Sequence, residues 1–131
     1  MQKVCLDGTD LEVSRLSFGC ASLHHLLTQG QREELVRDAL AAGYTHFDTA
    51  PMYGEGVAEK TLGKVFQGNR NEISIATKVG LPAGALSSRI PALMYLSKAS
   101  GKIFSRKVKS SRRDYSVEGV ELSLKSSYRR L

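Results

Sequence analysis

Short apolar segments alternate with amphipathic segments along this chain of 131 residues. The apolar segments Leu16–Gly19, Tyr44–Asp48 and Ile73–Lys78 have the length and composition of buried strands. Strands separated by helices pair in parallel, and right-handed crossovers place the helices on the outside of the sheet. The chain is therefore predicted to form a parallel α/β structure. This pattern alone fits both a closed barrel and an open sheet.

Three segments carry the signals of amphipathic helices. Thr28 and Gln31 have the spacing of a capping box ahead of an apolar stripe, and Gly43 supplies the stop. Apolar residues at helical spacing predict a second helix over 58–66. Ser116 is placed to cap a last helix. The predicted buried side of that helix consists of Val117, Val120, Leu124 and Leu131.

The first residues of the chain predict a β-hairpin. Val4–Leu6 and Leu11–Val13 are joined through Asp7-Gly8, a pair that supplies the positive φ of tight turns. The predicted strand Leu16–Gly19 then follows at once. The hairpin is therefore expected to precede the parallel sheet.

Length and composition limit the class of protein. The chain is short of the roughly 250 residues of a complete eight-unit barrel, while 41% apolar and 24% charged residues are typical of globular domains. No apolar run has the length of a membrane span, and the start lacks the apolar region of a signal peptide. A cytoplasmic protein is expected. Cys5 and Cys20 lack metal-site spacing and are predicted to be free thiols, so no metal is expected.

The net charge of +6 comes from one segment. Seven basic residues and no acidic residue lie between Lys98 and Arg113, so the rest of the chain is nearly neutral. A basic patch can bind nucleic acid, and such binding predicts a strongly salt-dependent DNA affinity. The segment is also rich in serine, which favours a solvated loop. We interpret 98–113 as a loop and expect no nucleic-acid partner.

Two charged residues are predicted to meet at the ends of neighbouring strands. Side chains alternate along a strand, so Lys78 lies on the face opposite Ile73 and Ile75. Asp48 occupies the equivalent end of the preceding strand, and adjacent strands lie about 4.8 Å apart. The carboxyl ends of parallel strands are where α/β proteins build their active sites. Asp48 and Lys78 are therefore candidate site residues.

The residues around these strand ends resemble the signature of aldo-keto reductases. The motif is His46-Phe47-Asp48-Thr49-Ala50-Pro51-Met52-Tyr53-Gly54, followed by Gly56-Val57-Ala58-Glu59 and Leu62-Gly63. Phe18-Gly19 and Ile75-Ala76-Thr77-Lys78-Val79-Gly80 extend the resemblance. It implies a (β/α)8 TIM barrel preceded by an N-terminal β-hairpin. Residues 1–131 would then hold the first three βα units, ending before the fourth strand.

The resemblance also implies a reaction, the reversible reduction of an aldehyde or ketone to an alcohol with NADP(H). Tyr53 matches the proton donor of the family, and Lys78 and Asp48 match the residues that assist it. A tyrosine gives up its proton reluctantly, but a nearby ammonium stabilises the phenolate and a carboxylate keeps that ammonium charged. The expected partner is therefore a small carbonyl or alcohol substrate. Taken singly, each of the three residues would be an ordinary strand-end or surface residue.

The cofactor contacts that the resemblance implies are Gly19, Cys20 and Ala21 at the end of the first strand, together with Asp48. The family holds its cofactor mainly through residues of the C-terminal half, and its fourth catalytic residue is a histidine on the fourth strand. His46, two residues before Asp48, is interpreted as structural. No GxGxxG follows a strand, so a Rossmann fold lacks its fingerprint.

A second function class follows from the length of the chain. Three parallel strands do not close a barrel, so the first and third strands would present unpaired edges that favour aggregation. The alternative to a reductase is therefore a catalytically silent fragment or interaction module derived from such an enzyme.

Overall fold

The computed structural model describes residues 1–81 and 113–131, which contain two small sheets, three α-helices and two short 3-10 helices, Leu23–His25 and Arg70–Glu72. The strands are β1 (Lys3–Cys5), β2 (Glu12–Ser14), β3 (Phe18–Gly19), β4 (His46–Asp48) and β5 (Ser74–Ala76), and the helices are α1 (Gln29–Ala41), α2 (Val57–Val65) and α3 (Val117–Tyr128). No helix within these two ranges is long and apolar enough to cross a bilayer. The basic segment 98–113 lies outside the described residues except for Arg113, so its interpretation as a loop stays a prediction.

A parallel sheet of order β3-β4-β5 positions the strand ends. Phe18 is paired with Phe47, and Asp48 lies between Gly19 on one side and Ala76 on the other. The predicted parallel α/β arrangement is confirmed, although each strand is shorter than predicted. The carboxyl ends of all three strands therefore meet at one edge of the sheet.

The N-terminal hairpin is also confirmed, shifted by one residue in each strand. β1 and β2 pair antiparallel, with Val4 opposite Val13. Ser14, at the end of β2, is almost fully buried and receives hydrogen bonds on its hydroxyl from the backbone N–H groups of Thr45 (3.0 Å) and His46 (3.2 Å). The hairpin is thereby fastened to the start of β4.

Helices α1 and α2 pack against each other over the sheet. The capping box forms as predicted, with Gln31 N–H donating to Thr28 Oγ1 and Thr28 N–H donating to Gln31 Oε1. Lys64 on α2 lies 2.8 Å from Glu33 on α1, and this contact lowers the pKa of the Glu33 carboxyl against the opposing effect of desolvation.

The apolar core is formed by buried side chains of α1, α2 and the sheet together with residues that follow β3 and α2. Its members are Cys20, Leu23, Val36, Ala39, Phe47, Ala58, Leu62 and Phe66.

Helix α3 begins as predicted, because the Ser116 hydroxyl accepts a hydrogen bond from Gly119 N–H at 3.1 Å. Its predicted buried side is wrong at Val117 and Leu124, which are 77% and 50% exposed. The helix instead buries Ser123 and Ser127, while Val120 and Leu131 are partly buried. The residues that follow the helix, Arg130 and Leu131, lie against α2 at Glu59 and Gly63.

Candidate active site

Asp48 and Lys78 form an ion pair at the carboxyl edge of the parallel sheet. Asp48 is the last residue of β4, and Lys78 follows the end of β5 by two residues. The Lys78 ammonium nitrogen lies 2.7 Å from Asp48 Oδ1 and 2.8 Å from Oδ2. Thr49 N–H donates to the Ala76 carbonyl at 2.8 Å, which continues the pairing of the two strands up to the ion pair. The meeting predicted from side-chain alternation is confirmed.

The ammonium of Lys78 has two further neighbours. It donates to the Thr49 carbonyl at 2.9 Å and lies 5.0 Å from the centre of the Tyr53 ring, within the range of a cation–π contact. Desolvation lowers the pKa of Lys78, but hydrogen bonds and charge interactions with Asp48 and Tyr53 outweigh it and raise the pKa above its ordinary value. Lys78 is therefore held in the charged form beside Tyr53.

Tyr53 is placed by a loop of unusual backbone conformation. Tyr53 N–H donates to the Ala50 carbonyl at 3.0 Å, and its own carbonyl accepts from Ala58 N–H at 3.2 Å. The three residues that follow have φ angles of 59° at Gly54, 57° at Glu55 and 88° at Gly56. Glycine is favoured in this left-handed region because it has no Cβ. The glycines of the motif thus turn the chain from the end of β4 into α2.

Glu59 of the motif lies inside the protein and touches two other segments. Its side chain is fully buried, one carboxylate oxygen accepts from Thr77 Oγ1 at 2.7 Å, and the other accepts from Arg130 Nε at 2.6 Å. Buried charges are tolerated only when paired and hydrogen-bonded. Glu59 therefore joins α2, the end of β5 and the residues after α3.

Gly63 of the motif permits the close approach of the last residues to α2. A Cβ at this position would overlap the carbonyl oxygen of Arg130 and contact the backbone of Leu131. No side chain can be accommodated there without moving that backbone. The Leu62-Gly63 part of the motif is explained by packing.

The three candidate cofactor residues at the end of β3 differ in exposure. Gly19 and Ala21 are exposed, and a Cβ at Gly19 would meet no atom within 4 Å, so the space in front of its backbone is open. Gly19 is also the strand neighbour of Asp48. The backbone of Gly19 therefore faces open space beside Asp48.

Cys20 differs from its two neighbours, because its thiol points into the apolar core and is fully buried. Burial raises the pKa of the Cys20 thiol to about 12, with Asp48 adding to the rise and Lys78 opposing it. The thiol of Cys20 therefore does not face the open edge of the sheet, unlike the exposed Gly19 and Ala21. Both cysteines are free, as predicted.

Sequence reasoning did not find the Thr49 carbonyl that holds Lys78 or the pairing of Glu59 with Thr77. A carbonyl leaves no signal in residue type, and a glutamate on a helix is ordinarily solvated. His46, predicted to be structural, lies half-buried in β4. In the described ranges, no three His, Cys, Asp or Glu side chains are grouped as metal ligands would be.

Known proteins resemble both the sequence and the structure. The chain is 34% identical over 87 residues to the aldo-keto reductase YhdN of Bacillus subtilis, an alignment that covers 62% of this chain and 26% of that protein. It is 37% identical over 86 residues to the probable aldo-keto reductase 1 of Glycine max, covering 62% of this chain and 25% of that protein. The alignments thus span about a quarter of these relatives.

Solved structures extend the likeness to the whole chain. The aldo-keto reductase AKR11C1 from Bacillus halodurans, in its holo form, superposes with a TM-score of 0.74 and 30% identity. That superposition covers 100% of this chain and 36% of the solved chain. The model of the aldo/keto reductase family matches residues 15–131, which is most of the sequence. The chain therefore belongs to the aldo/keto reductase family.

Proposed function

We propose that this chain contributes Asp48, Tyr53 and Lys78 to an NADP(H)-dependent reductase that interconverts a small aldehyde or ketone and its alcohol. In this proposal residues 1–131 are the N-terminal part of an aldo-keto reductase domain, the hairpin and first three βα units of a (β/α)8 barrel. The observation that carries the proposal is the position of the Lys78 ammonium. It donates hydrogen bonds to both oxygens of the Asp48 carboxylate and lies 5.0 Å from the centre of the Tyr53 ring. The similarity to a reductase solved in its holo form supports a cofactor-dependent reaction.

The proposed chemistry assigns one task to each residue. NADPH, when bound, supplies a hydride to the carbonyl carbon. The Tyr53 hydroxyl donates a proton to the carbonyl oxygen, which becomes negative as the hydride arrives. Lys78 stabilises the tyrosinate that remains, and Asp48 keeps Lys78 charged. Gly19, Cys20, Ala21 and Asp48 would hold the nicotinamide.

The test is NADPH binding and aldehyde-dependent NADPH oxidation by the purified chain. Tyr53→Phe should lower kcat by about 100-fold or more while leaving the Kd for NADPH unchanged, because it removes only the proton donor. Tyr128→Phe is the control, since the side chain of Tyr128 is almost fully exposed on α3. A chain that neither binds nor oxidises NADPH would favour a catalytically silent interaction module.

A second candidate function is a catalytically silent interaction module. The observation in its favour is the set of large apolar side chains that α3 exposes to solvent, namely Val117, Leu122, Leu124 and Tyr128. Exposed apolar patches commonly mark interaction surfaces. Binding of NADPH with turnover would exclude this candidate.

The cytoplasmic location and the absence of a nucleic-acid partner stay predictions.

A further inference from the structure

Glu59 connects the two segments that carry Tyr53 and Lys78. It lies in the first turn of α2, the helix that begins four residues after Tyr53, and the first turn is fastened back to the loop by the bond from Ala58 N–H to the Tyr53 carbonyl. Its carboxylate accepts a hydrogen bond of 2.7 Å from Thr77, the residue next to Lys78. Through Glu59, hydrogen bonds thus connect the loop that carries Tyr53 to the segment after β5 that carries Lys78.

Thr77 and Lys78, which follow the last residue of β5, point to opposite sides of the chain. The Thr77 hydroxyl is bonded to Glu59 on the helix side, and the Lys78 ammonium is bonded to Asp48 and the Thr49 carbonyl on the other side. Lys78 lies two residues beyond the last residue of β5. The bond to Glu59 supplies an anchor where the strand itself has ended.

The orientation of Glu59 is fixed by its second oxygen. Arg130 Nε lies 2.6 Å from Glu59 Oε2, and the Glu59 side chain is fully buried, so the carboxylate cannot turn towards water. Turning it away from Thr77 would leave a buried acceptor without its partner, at a cost comparable to that of a lost hydrogen bond. The acceptor for Thr77 is therefore held in place before any ligand arrives.

We propose that Glu59, acting through Thr77, is a positioning residue that sets the distance between the Lys78 ammonium and the Tyr53 ring. This inference rests on the proposed reductase function for its kinetic consequence, but its structural consequence does not. A misplacement of about 1 Å at a catalytic group can lower the rate by about 100-fold, so an anchor of this kind affects kcat more than KM.

The test compares Thr77→Val with Thr77→Ser in the purified chain of 131 residues. Valine has nearly the shape of threonine but cannot donate to Glu59, whereas serine keeps the hydroxyl. The matched control is Thr61→Val, which removes a buried hydroxyl on α2 that bonds the Val57 carbonyl at 2.9 Å. Thr61→Val leaves the bond between Thr77 and Glu59 in place.

The first readout is the pH titration of the Lys78 side chain, followed by NMR. Thr77→Val should move the pKa of Lys78 down towards the ordinary lysine value, because the ammonium loses its fixed place beside Asp48 and Tyr53. Thr77→Ser and Thr61→Val should titrate like the unmodified chain. An unchanged Lys78 titration in a folded Thr77→Val chain would overturn the inference.

The second readout is NADPH-dependent carbonyl reduction. Thr77→Val should lower kcat by between about 10-fold and 100-fold with little change in KM, and Thr77→Ser should restore it. An equal loss of kcat in Thr61→Val would show a merely structural role and overturn the inference. If the unmodified chain has no activity, the Lys78 titration alone decides the role of Glu59.

Discussion

Ser14 and Thr45 exchange backbone-to-hydroxyl hydrogen bonds. Ser14 N–H donates to Thr45 Oγ1 at 2.8 Å, and Thr45 N–H donates to Ser14 Oγ at 3.0 Å. The residues are 31 positions apart, so this reciprocal pair connects the hairpin to the strand that carries Asp48. The hairpin is thus part of the framework that supports the site.

Ser14→Ala is expected to destabilise the protein by about 1–3 kcal/mol, because the backbone N–H groups of Thr45 and His46 lose their buried acceptor. Urea unfolding followed by circular dichroism measures the change. Ser17→Ala is the control, since Ser17 is exposed and its hydroxyl donates a long bond of 3.4 Å to the His46 carbonyl. Equal stabilities of the two variants would contradict the role assigned to Ser14.

Arg130→Met is expected to cost about 3–5 kcal/mol, because it leaves the buried Glu59 carboxylate without its cation. The double variant Glu59→Gln with Arg130→Met should recover part of this loss, since no buried charge remains. Thermal and urea unfolding measure both.

Lys125→Met is the matched control for that prediction. Lys125 pairs with Glu121 at 3.1 Å on the exposed side of α3, and such a pair contributes at most about 0.5 kcal/mol. A loss on Arg130→Met no larger than the loss on Lys125→Met would show that the buried pair does not join α2 to the residues after α3.

Gly63→Ala is expected to destabilise the protein by about 1–3 kcal/mol, because the new Cβ would overlap the Arg130 carbonyl oxygen and force the backbone apart. Gly30→Ala in α1 is the control: a Cβ there meets open space, and alanine stabilises a helix relative to glycine by up to about 1 kcal/mol. Opposite signs of the two changes in unfolding free energy are expected. A neutral Gly63→Ala would mean that the packing of the chain end on α2 is loose.

Cys5 and Cys20 are expected to differ in reactivity towards a thiol reagent. Cys5 is exposed, whereas Cys20 is buried and its pKa is raised from 9.0 to about 12. The native protein should show one fast thiol and the unfolded protein two, and Cys5→Ser should abolish the fast reaction. Two fast thiols in the native state would contradict the burial of Cys20.

The raised pKa of Cys20 also has a consequence for alkaline stability. Between pH 9 and pH 12 the unfolded chain releases the Cys20 proton while the folded chain retains it, so unfolding becomes more favourable as the pH rises. The contribution is complete below pH 9 and is lost on passing through the folded pKa. Unfolding midpoints over this range, compared between the unmodified chain and Cys20→Ala, measure it.

The sequence was sufficient to predict the elements that local chemistry determines. The Thr28–Gln31 capping box, the hairpin at Gly8 and the meeting of Asp48 with Lys78 each follow from spacing or strand alternation, and the structure contains all three. Helix α3 was different, because its apolar stripe predicted the wrong buried face. The residues after that helix contact Glu59 and Gly63, about 70 positions away along the chain, and such contacts leave no local signal.

The left-handed backbone from Gly54 to Gly56 limits how the tyrosine loop can vary. A side chain at Gly54 would strain the φ of 59° and also overlap His24, and one at Gly56 would have to adopt a φ of 88°. Met52, by contrast, is exposed. Backbone geometry therefore restricts which amino acids this loop accepts, independently of any catalytic requirement. Related sequences should vary at Met52 and retain glycine at Gly54 and Gly56.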